Sequence, residues 1–282
     1  MTASPLPAPV FRLGATSFVH PAGWADNVER LSAETPVRDV ELLFFEADRP
    51  EQLPGAAEVQ RLRRLKDQHD LSYTLHTPLG ASLASADGAR RSDALAMIRR
   101  CVEVARPLQP ERLVVHVYHG DQEHDPAPPV DLDAWRARAA AALGAVVALG
   151  VPPGAICVET IDYDFALLAP VVEALDLSVA LDVGHQLRDG RDELALLRRW
   201  LSRAGAIQWH GVEPGGRDHR SVVHCPRQRS LALLRILRQA RFTGVLTLEV
   251  FRADDLRSSL AALDEWNAAL DHPAPAAEMD IR

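Results

Sequence analysis

Six short apolar stretches of this chain end in side chains that can hold a cation or move a proton. They deliver His76 (Thr-Leu-His-Thr-Pro), His116 (Val-Val-His-Val-Tyr), Glu159 (Cys-Val-Glu-Thr), Asp182 with His185 (Val-Ala-Leu-Asp-Val-Gly-His), His210 (Gln-Trp-His-Gly-Val) and Glu249 (Thr-Leu-Glu-Val-Phe). Any one of them alone has a plain reading. A solitary strand-end His is more often a hydrogen-bonded structural residue, and a solitary Glu a rim carboxylate. Together they read as a site, because carboxylates crowded onto one small face repel and resist ionisation. Divalent cations are the usual remedy. Imidazole and carboxylate ligands without thiolate suit zinc, manganese or iron, and a divalent cation, or several, is expected.

These residues need a scaffold that gathers strand ends. Strands are expected at Phe11–Ser17, Asp39–Glu46, Leu71–Thr77, Arg112–Tyr118, Ala155–Thr160, Val179–Val183, Ala206–Val212 and Gly244–Phe251. Helices are expected between them near Trp24–Ser32, Gly55–Asp70, Arg90–Arg106, up to about Leu149, Phe165–Ala174, Asp192–Ala204 and Ser230–Ala240, with Leu256–Leu270 closing the chain. Strand–helix alternation predicts an α/β fold, a single (β/α)8 TIM barrel over residues 11–271 with tails at 1–10 and 272–282. A doubly wound open sheet is the runner-up, but no Gly-x-Gly-x-x-Gly turn follows any strand.

Side-chain parity supports the barrel. Leu75, Val115, Val158, Leu181, Trp209 and Leu248, which immediately precede the polar residues, are all large and apolar. Alternation sends them to the helix layer when the polar residues face the lumen. Trp209 is therefore expected in the core. Cys157 shares the lumen side with Glu159 and reads as a small barrel filler.

The loop Gly211–Cys225 adds Glu213, Arg217, Asp218, His219 and His224. Asp218-His219 either extends the metal site or is a solvated loop pair. Ser17, Glu46, Tyr118 and Arg217 are the candidates for lining a substrate mouth. Arg217 suits a phosphate because a guanidinium can hold two oxygens at once, and its plain reading is a solvated loop arginine. The acidic, proline-rich loop Gly120–Asp131 is either a lid or a tolerated insertion.

Composition narrows the chemistry. The chain has 282 residues, 47% hydrophobic and 25% charged, an ordinary globular balance. A net charge of −8 argues against a nucleic-acid partner. Lys66 is the only lysine, so Schiff-base chemistry would have to use a residue inside a charged helical run. Cys101, Cys157 and Cys225 have no paired spacing, so no thiolate metal site is expected, and a reducing compartment is. With neither a secretory leader nor a membrane span apparent, a cytoplasmic location is expected.

The ligand set resembles the xylose isomerase-like barrel superfamily, which includes the endonuclease IV type of abasic-site nuclease. The resemblance implies one metal held by His76, His116 and Glu159. Glu159 would bridge to a second, held with Asp182, His210 and Glu249. His185 would help hold a third with the seventh-strand loop. That nuclease uses an Asp-x-His pair where this chain has Asp218 and His219 adjacent.

A closer resemblance spans nearly the whole chain. Arg-Leu-Gly-Ala-Thr-Ser-Phe-Val-His-Pro (12–21), Asp-Val-Glu-Leu-Leu-Phe-Phe-Glu (39–46), Leu-Ser-Tyr-Thr-Leu-His-Thr-Pro-Leu (71–79) and Gly-Arg-Asp-His (216–219) are similar to the cobamide-remodelling phosphodiesterases. That family implies cleavage of the nucleotide-loop phosphoester of vitamin B12-type cofactors, leaving a cobinamide-type product. Glu159, Glu249 and His185 are then the expected catalytic groups and a corrinoid the expected partner.

The competing reading is a one-metal sugar isomerase or epimerase. There Glu159 and Glu249 exchange protons beside a carbonyl and His185 orients the sugar. It leaves His76 and His116 idle. A DNA repair nuclease would share the metal site, but the net charge and the lack of basic, aromatic insertion loops speak against it. A non-enzymatic corrinoid-binding barrel leaves the inward ligands unexplained.

Overall fold

Eight short strands close on one another in chain order. They are β1 (Arg12–Thr16), β2 (Asp39–Leu43), β3 (Ser72–His76), β4 (Arg112–Val115), β5 (Ile156–Glu159), β6 (Ser178–Asp182), β7 (Ala204–Trp209) and β8 (Val245–Leu248). Every neighbouring pair is parallel, and β8 returns to β1 in the register Gly14 with Thr247. This computed structural model describes residues 8–119 and 129–272. The expected tails fall mainly on residues 1–7 and 273–282 and most of the Gly120–Asp131 loop on 120–128, outside the described residues.

The helices of the outer layer are α1 (Trp24–Glu34), α2 (Ala56–His69), α3 (Gly88–Ala105), α4 (Leu132–Val147), α5 (Ala169–Ala174), α6 (Val183–Arg188), α7 (Glu193–Trp200), α8 (Arg227–Ala240) and α9 (Ala253–Asp271). Acidic caps start several of them. The carboxylates of Asp87, Asp131 and Asp192 accept from backbone N–H groups of the first turns of α3, α4 and α7. Helix α2 buries Val59, Leu62 and Leu65, the stripe its periodicity requires. Among the described residues no helix is long and apolar enough to cross a membrane.

The parity argument holds on every strand it used. Leu75, Val115, Val158, Leu181, Trp209 and Leu248 are all buried in the large cluster between sheet and helices. Trp209 packs on Trp266 of α9 with ring centroids 5.7 Å apart. The lumen has its own small apolar cluster of Val114, Cys157, Ala180 and Ala206. Cys157 is the expected filler, and burial pushes its thiol up to about 12.

Two element boundaries differ from expectation in ways that matter for the site. β2 stops at Leu43, which leaves Glu46 on the following loop rather than at a strand end. β6 stops at Asp182, and the next six residues are helix α6 instead of a connecting loop. The cause is local: Asp182 Oδ1 accepts the His185 N–H at 2.6 Å, so the strand's last residue is also the helix cap.

The separation of the two clusters gives a test. Leu181→Ala should lower unfolding stability by about 2–5 kcal/mol in urea titrations, the usual cost of emptying a buried leucine site. Cation binding by the folded fraction should be unchanged, since the side chain faces the helices while its neighbour Asp182 faces the lumen.

Candidate metal centre

The polar side chains at the C-terminal mouth meet in four overlapping sets. His76, His116 and Glu159 form one, Glu159, Asp182 and His185 a second, Asp182, His210 and Glu249 a third, and His185, His210 and His219 a fourth. Within each set the ligand atoms lie within 4.8 Å of one another. Glu159 is common to the first two sets and Asp182 to the second and third, so the sets form a continuous chain across the barrel.

Hydrogen bonding aims these groups. His76 Nδ1 lies 2.9 Å from the Thr77 carbonyl, which accepts its proton and turns Nε2 toward Glu159 Oε2 at 3.3 Å. His116 Nε2 reaches the same oxygen at 2.9 Å. His185 Nδ1 is 3.0 Å from Asp182 Oδ2 and 3.7 Å from Glu159 Oε1, so it faces back over the cluster as well as toward the next loop. His210 stacks on His219 at 4.1 Å, and the His219 N–H donates to His210 Nδ1. His219 needs a left-handed backbone, φ 50°, to make that bond.

Close packing fixes His210 from the other side. A Cβ on Gly184 would sit 2.3 Å from the His210 ring, so glycine is required where α6 crosses it. Beyond the ligands, the Phe45 ring lies 5.2 Å from His76 and the Phe251 ring 4.8 Å from His219.

Burial and mutual charge pull the acids apart. Burial opposes ionisation of Glu159, yet the His116 and His76 imidazoles outweigh it and hold the carboxyl well below its ordinary range. Asp182 is likewise held low by His185 and His210 against its burial. Glu249 is pushed well above the usual range, first by burial and then by Glu41, Asp182 and Glu159. Burial, reinforced by the charge of His210, lowers His219 to about 4. His185 is lowered by burial despite Asp182 and Glu159.

Such a cluster fits divalent cations. His210 Nε2 and Glu249 Oε2 are buried without a hydrogen bond, an expensive arrangement unless something else binds there. His76, His116, Glu159, Asp182, His185, His210, His219 and Glu249 are thus brought together as the sequence suggested. Asp218 is not. Its Oδ2 lies 3.0 Å from Arg188 Nη1, and it belongs to none of the four sets. Adjacent residues diverge at this turn, and His219 takes the inward place.

The proposed mouth residues are more dispersed. Ser17 is buried, and its hydroxyl accepts the Leu43 N–H at 3.2 Å. With Glu46, Phe18, Trp24 and Phe45 it lines a cavity of about 310 Å3 beside the mouth. Glu46 is itself exposed and faces Arg49. Tyr118 is buried with its ring 5.4 Å from His116. Arg217 is 76% exposed and paired with Glu213 at 3.0 Å, the solvated loop arginine of its plain reading.

Three residues were missed. Glu41 is buried in the lumen, and burial together with Glu159 pushes its carboxyl up to about 8 against the opposing pull of His76. Gln208 lies between Glu41 and Glu159. The alternation of Asp39-Val40-Glu41-Leu42 and of Gln208-Trp209-His210 carried the signal for both. Arg188, one turn beyond His185 on α6, had no sequence signal once that helix was unread.

A family profile described as "Xylose isomerase-like TIM barrel" matches residues 30–272. Comparison with curated proteins found no significant match. Among solved structures, a D-tagatose 3-epimerase-like protein superposes with TM-score 0.73 at 17% identity, covering 92% of this chain and 98% of its own. The D-psicose 3-epimerase of Clostridium cellulolyticum H10 has TM-score 0.68 at 15% identity, covering 93% and 100%. The 3-keto-D-glucoside 4-epimerase of E. coli also has TM-score 0.68 at 15% identity, covering 92% and 99%. At these identities the likeness is one of fold.

Two outcomes follow from this geometry. In metal-free protein, stability should fall as pH rises from about 4.5 to about 8 and level off above, because Glu41 in the folded state keeps a proton that the unfolded chain releases near 4.5. Glu41→Gln should make that limb of the thermal-unfolding profile shallower between about pH 5 and 8, leaving the part that Glu249 contributes. Gly184→Ala should displace the His210 ring and weaken divalent-cation binding by about tenfold or more, read by calorimetric titration.

Proposed function

The chain belongs to the xylose isomerase-like TIM barrel family, and from its ligand geometry we propose a divalent-metal-dependent phosphodiesterase. The observation that carries this reading is the His76–His116 pair on the far side of Glu159. Glu159, Asp182, His210 and Glu249 are enough for one ion. A second set that shares Glu159 would let the site hold two divalent ions, whose combined charge would favour displacement at phosphorus.

The residues present fit divalent ions, and His76, His116 and Glu159 would hold one while Glu159, Asp182, His210 and Glu249 hold another. Bound there, the ions would supply charge neutralisation and an acidified water. The chain's own groups do the rest. Glu159, already ionised, is the shared anion. Glu249 keeps its proton while its carboxylate neighbours stay uncompensated. His185, neutral and at the open side of the cluster, can accept a proton from the attacking water or orient the substrate. For the substrate we propose the nucleotide-loop phosphoester of a cobamide, giving a cobinamide-type product. That part rests on the sequence resemblance alone, since the compared structures say nothing of corrinoids.

A second reading has its own support, and the comparisons favour it over the first. The solved relatives are named as sugar epimerases. In that reading Glu159, Asp182, His210 and Glu249 would hold a single ion. Glu159 and Glu249 would then pass a proton to and from a carbon beside a carbonyl, with His185 against the sugar.

Metal content separates the two. The phosphodiesterase reading expects at least two ions per chain after loading with zinc or manganese, falling by one in His76→Ala. It also expects release of a cobinamide-type product from a cobamide, abolished by chelation. A single ion per chain, unaffected by His76→Ala, with turnover of a ketohexose and none of the cobamide, would establish the epimerase instead.

A further inference from the structure

Beneath the metal centre lies a polar contact that packing does not require. Gln208 on β7 is fully buried, two residues before His210 and therefore one layer lower in the lumen. Its Nε2 lies 3.3 Å from Glu41 Oε1 on β2 and 3.5 Å from Glu159 Oε2 on β5. Neither strand neighbours β7, so this amide spans the barrel. We infer that Gln208 is the positioning residue for Glu159, holding the shared ligand carboxylate on a floor built with Glu41.

The lumen around it mixes small apolar fillers, Val114, Cys157, Ala180 and Ala206, with the short polar side chains of Thr74 and Thr247, and none of these reaches across to Glu159. An apolar residue at 208 would avoid the cost of a buried amide. That cost is visible, because Gln208 Oε1 and Glu41 Oε2 are both buried without a hydrogen bond. A partly satisfied polar layer is tolerated where it serves a site and is otherwise inferior to an apolar one. The amide suits its place chemically. Its two N–H donors serve two carboxyl groups without adding charge.

The contact matters most when the site is loaded. In the metal-free chain Glu159 Oε2 lies within reach of three nitrogens: His116 Nε2 at 2.9 Å, His76 Nε2 at 3.3 Å and Gln208 Nε2 at 3.5 Å. An imidazole nitrogen that ligates a cation has no proton to donate. Of these three, only the Gln208 amide still donates to Glu159 once His76 and His116 bind an ion. Partners of that kind orient a ligand and sustain affinity.

The inference rests on Glu159 being a ligand, which both functional readings share, and the test separates the two levels. Metal-free wild type and Gln208→Met are titrated with Co2+ while the visible ligand-field absorption is followed, with thermal unfolding as the control for folding. We expect Gln208→Met to fold with metal-free stability equal to or above wild type. Its Co2+ affinity should fall by about 10–100-fold at one equivalent, with an altered absorption band. Gln208→Leu, which is of similar size and has no donor, should behave alike. If wild type takes up no Co2+, the metal-centre reading fails and this inference with it. If wild type binds and both variants match it in affinity and spectrum, the positioning role alone is overturned. Failure of both variants to fold also overturns it, by showing Gln208 to be structural.

Discussion

The structure turns on a crowd of buried carboxyl groups at one end of a barrel. Glu41, Glu159, Asp182 and Glu249 are each at most 3% exposed, and the groups around them are chiefly imidazoles rather than permanent cations. Isolated ionised carboxylates in such a place would be untenable. The protein divides them instead: Glu159 and Asp182 stay ionised against histidines, while Glu41 and Glu249 hold on to protons. This is a strained distribution of charge that bound divalent cations would relieve. The rest of the fold is arranged to keep those groups from escaping to water.

Three constraints do that. Strand alternation sends the large apolar neighbours into the helix layer, so the candidate ligands at the strand ends are anchored by residues on the opposite face. The end of β6 then does two jobs, because Asp182 is both a candidate ligand and the cap of α6, which fixes His185 relative to it. Finally, Gly184 and the left-handed turn at His219 let α6 and the seventh loop close on His210 from both sides. These are local devices, each set by one or two residues.

Much of this was legible in the sequence, and the part that was not has a physical explanation. The barrel and the inward ligands follow from period-two alternation repeated over many strands, a signal that survives errors of one or two residues in element ends. Helix α6 was unread because six residues are too few for a helical pattern to declare itself, and its start depends on a side-chain cap. Asp218 and His219 could not be separated, since the backbone turn that directs one inward and the other to Arg188 has no one-letter signature. Glu41 and Gln208 lay in plain view on the inward parity. They precede the last residue of their strands, and inward parity alone does not separate a lower lumen layer from the mouth.

The phosphodiesterase reading proposed above rests on side chains, whereas the superposed structures bear on the fold alone. The superposed epimerases share the barrel at 15–17% identity, which fixes the architecture and leaves the chemistry to individual side chains. The quartet Glu159, Asp182, His210 and Glu249 would satisfy proton transfer at carbon with one ion. What it does not use is the pair His76 and His116, each with a ring nitrogen within 3.3 Å of Glu159 Oε2. Burying two imidazoles against a carboxylate costs desolvation of every partner, and His76 is further committed by its bond to the Thr77 carbonyl. On the two-ion reading proposed above, a second cation on Glu159 would give both histidines a purpose and would make Glu159, rather than any single metal position, the pivot of the site.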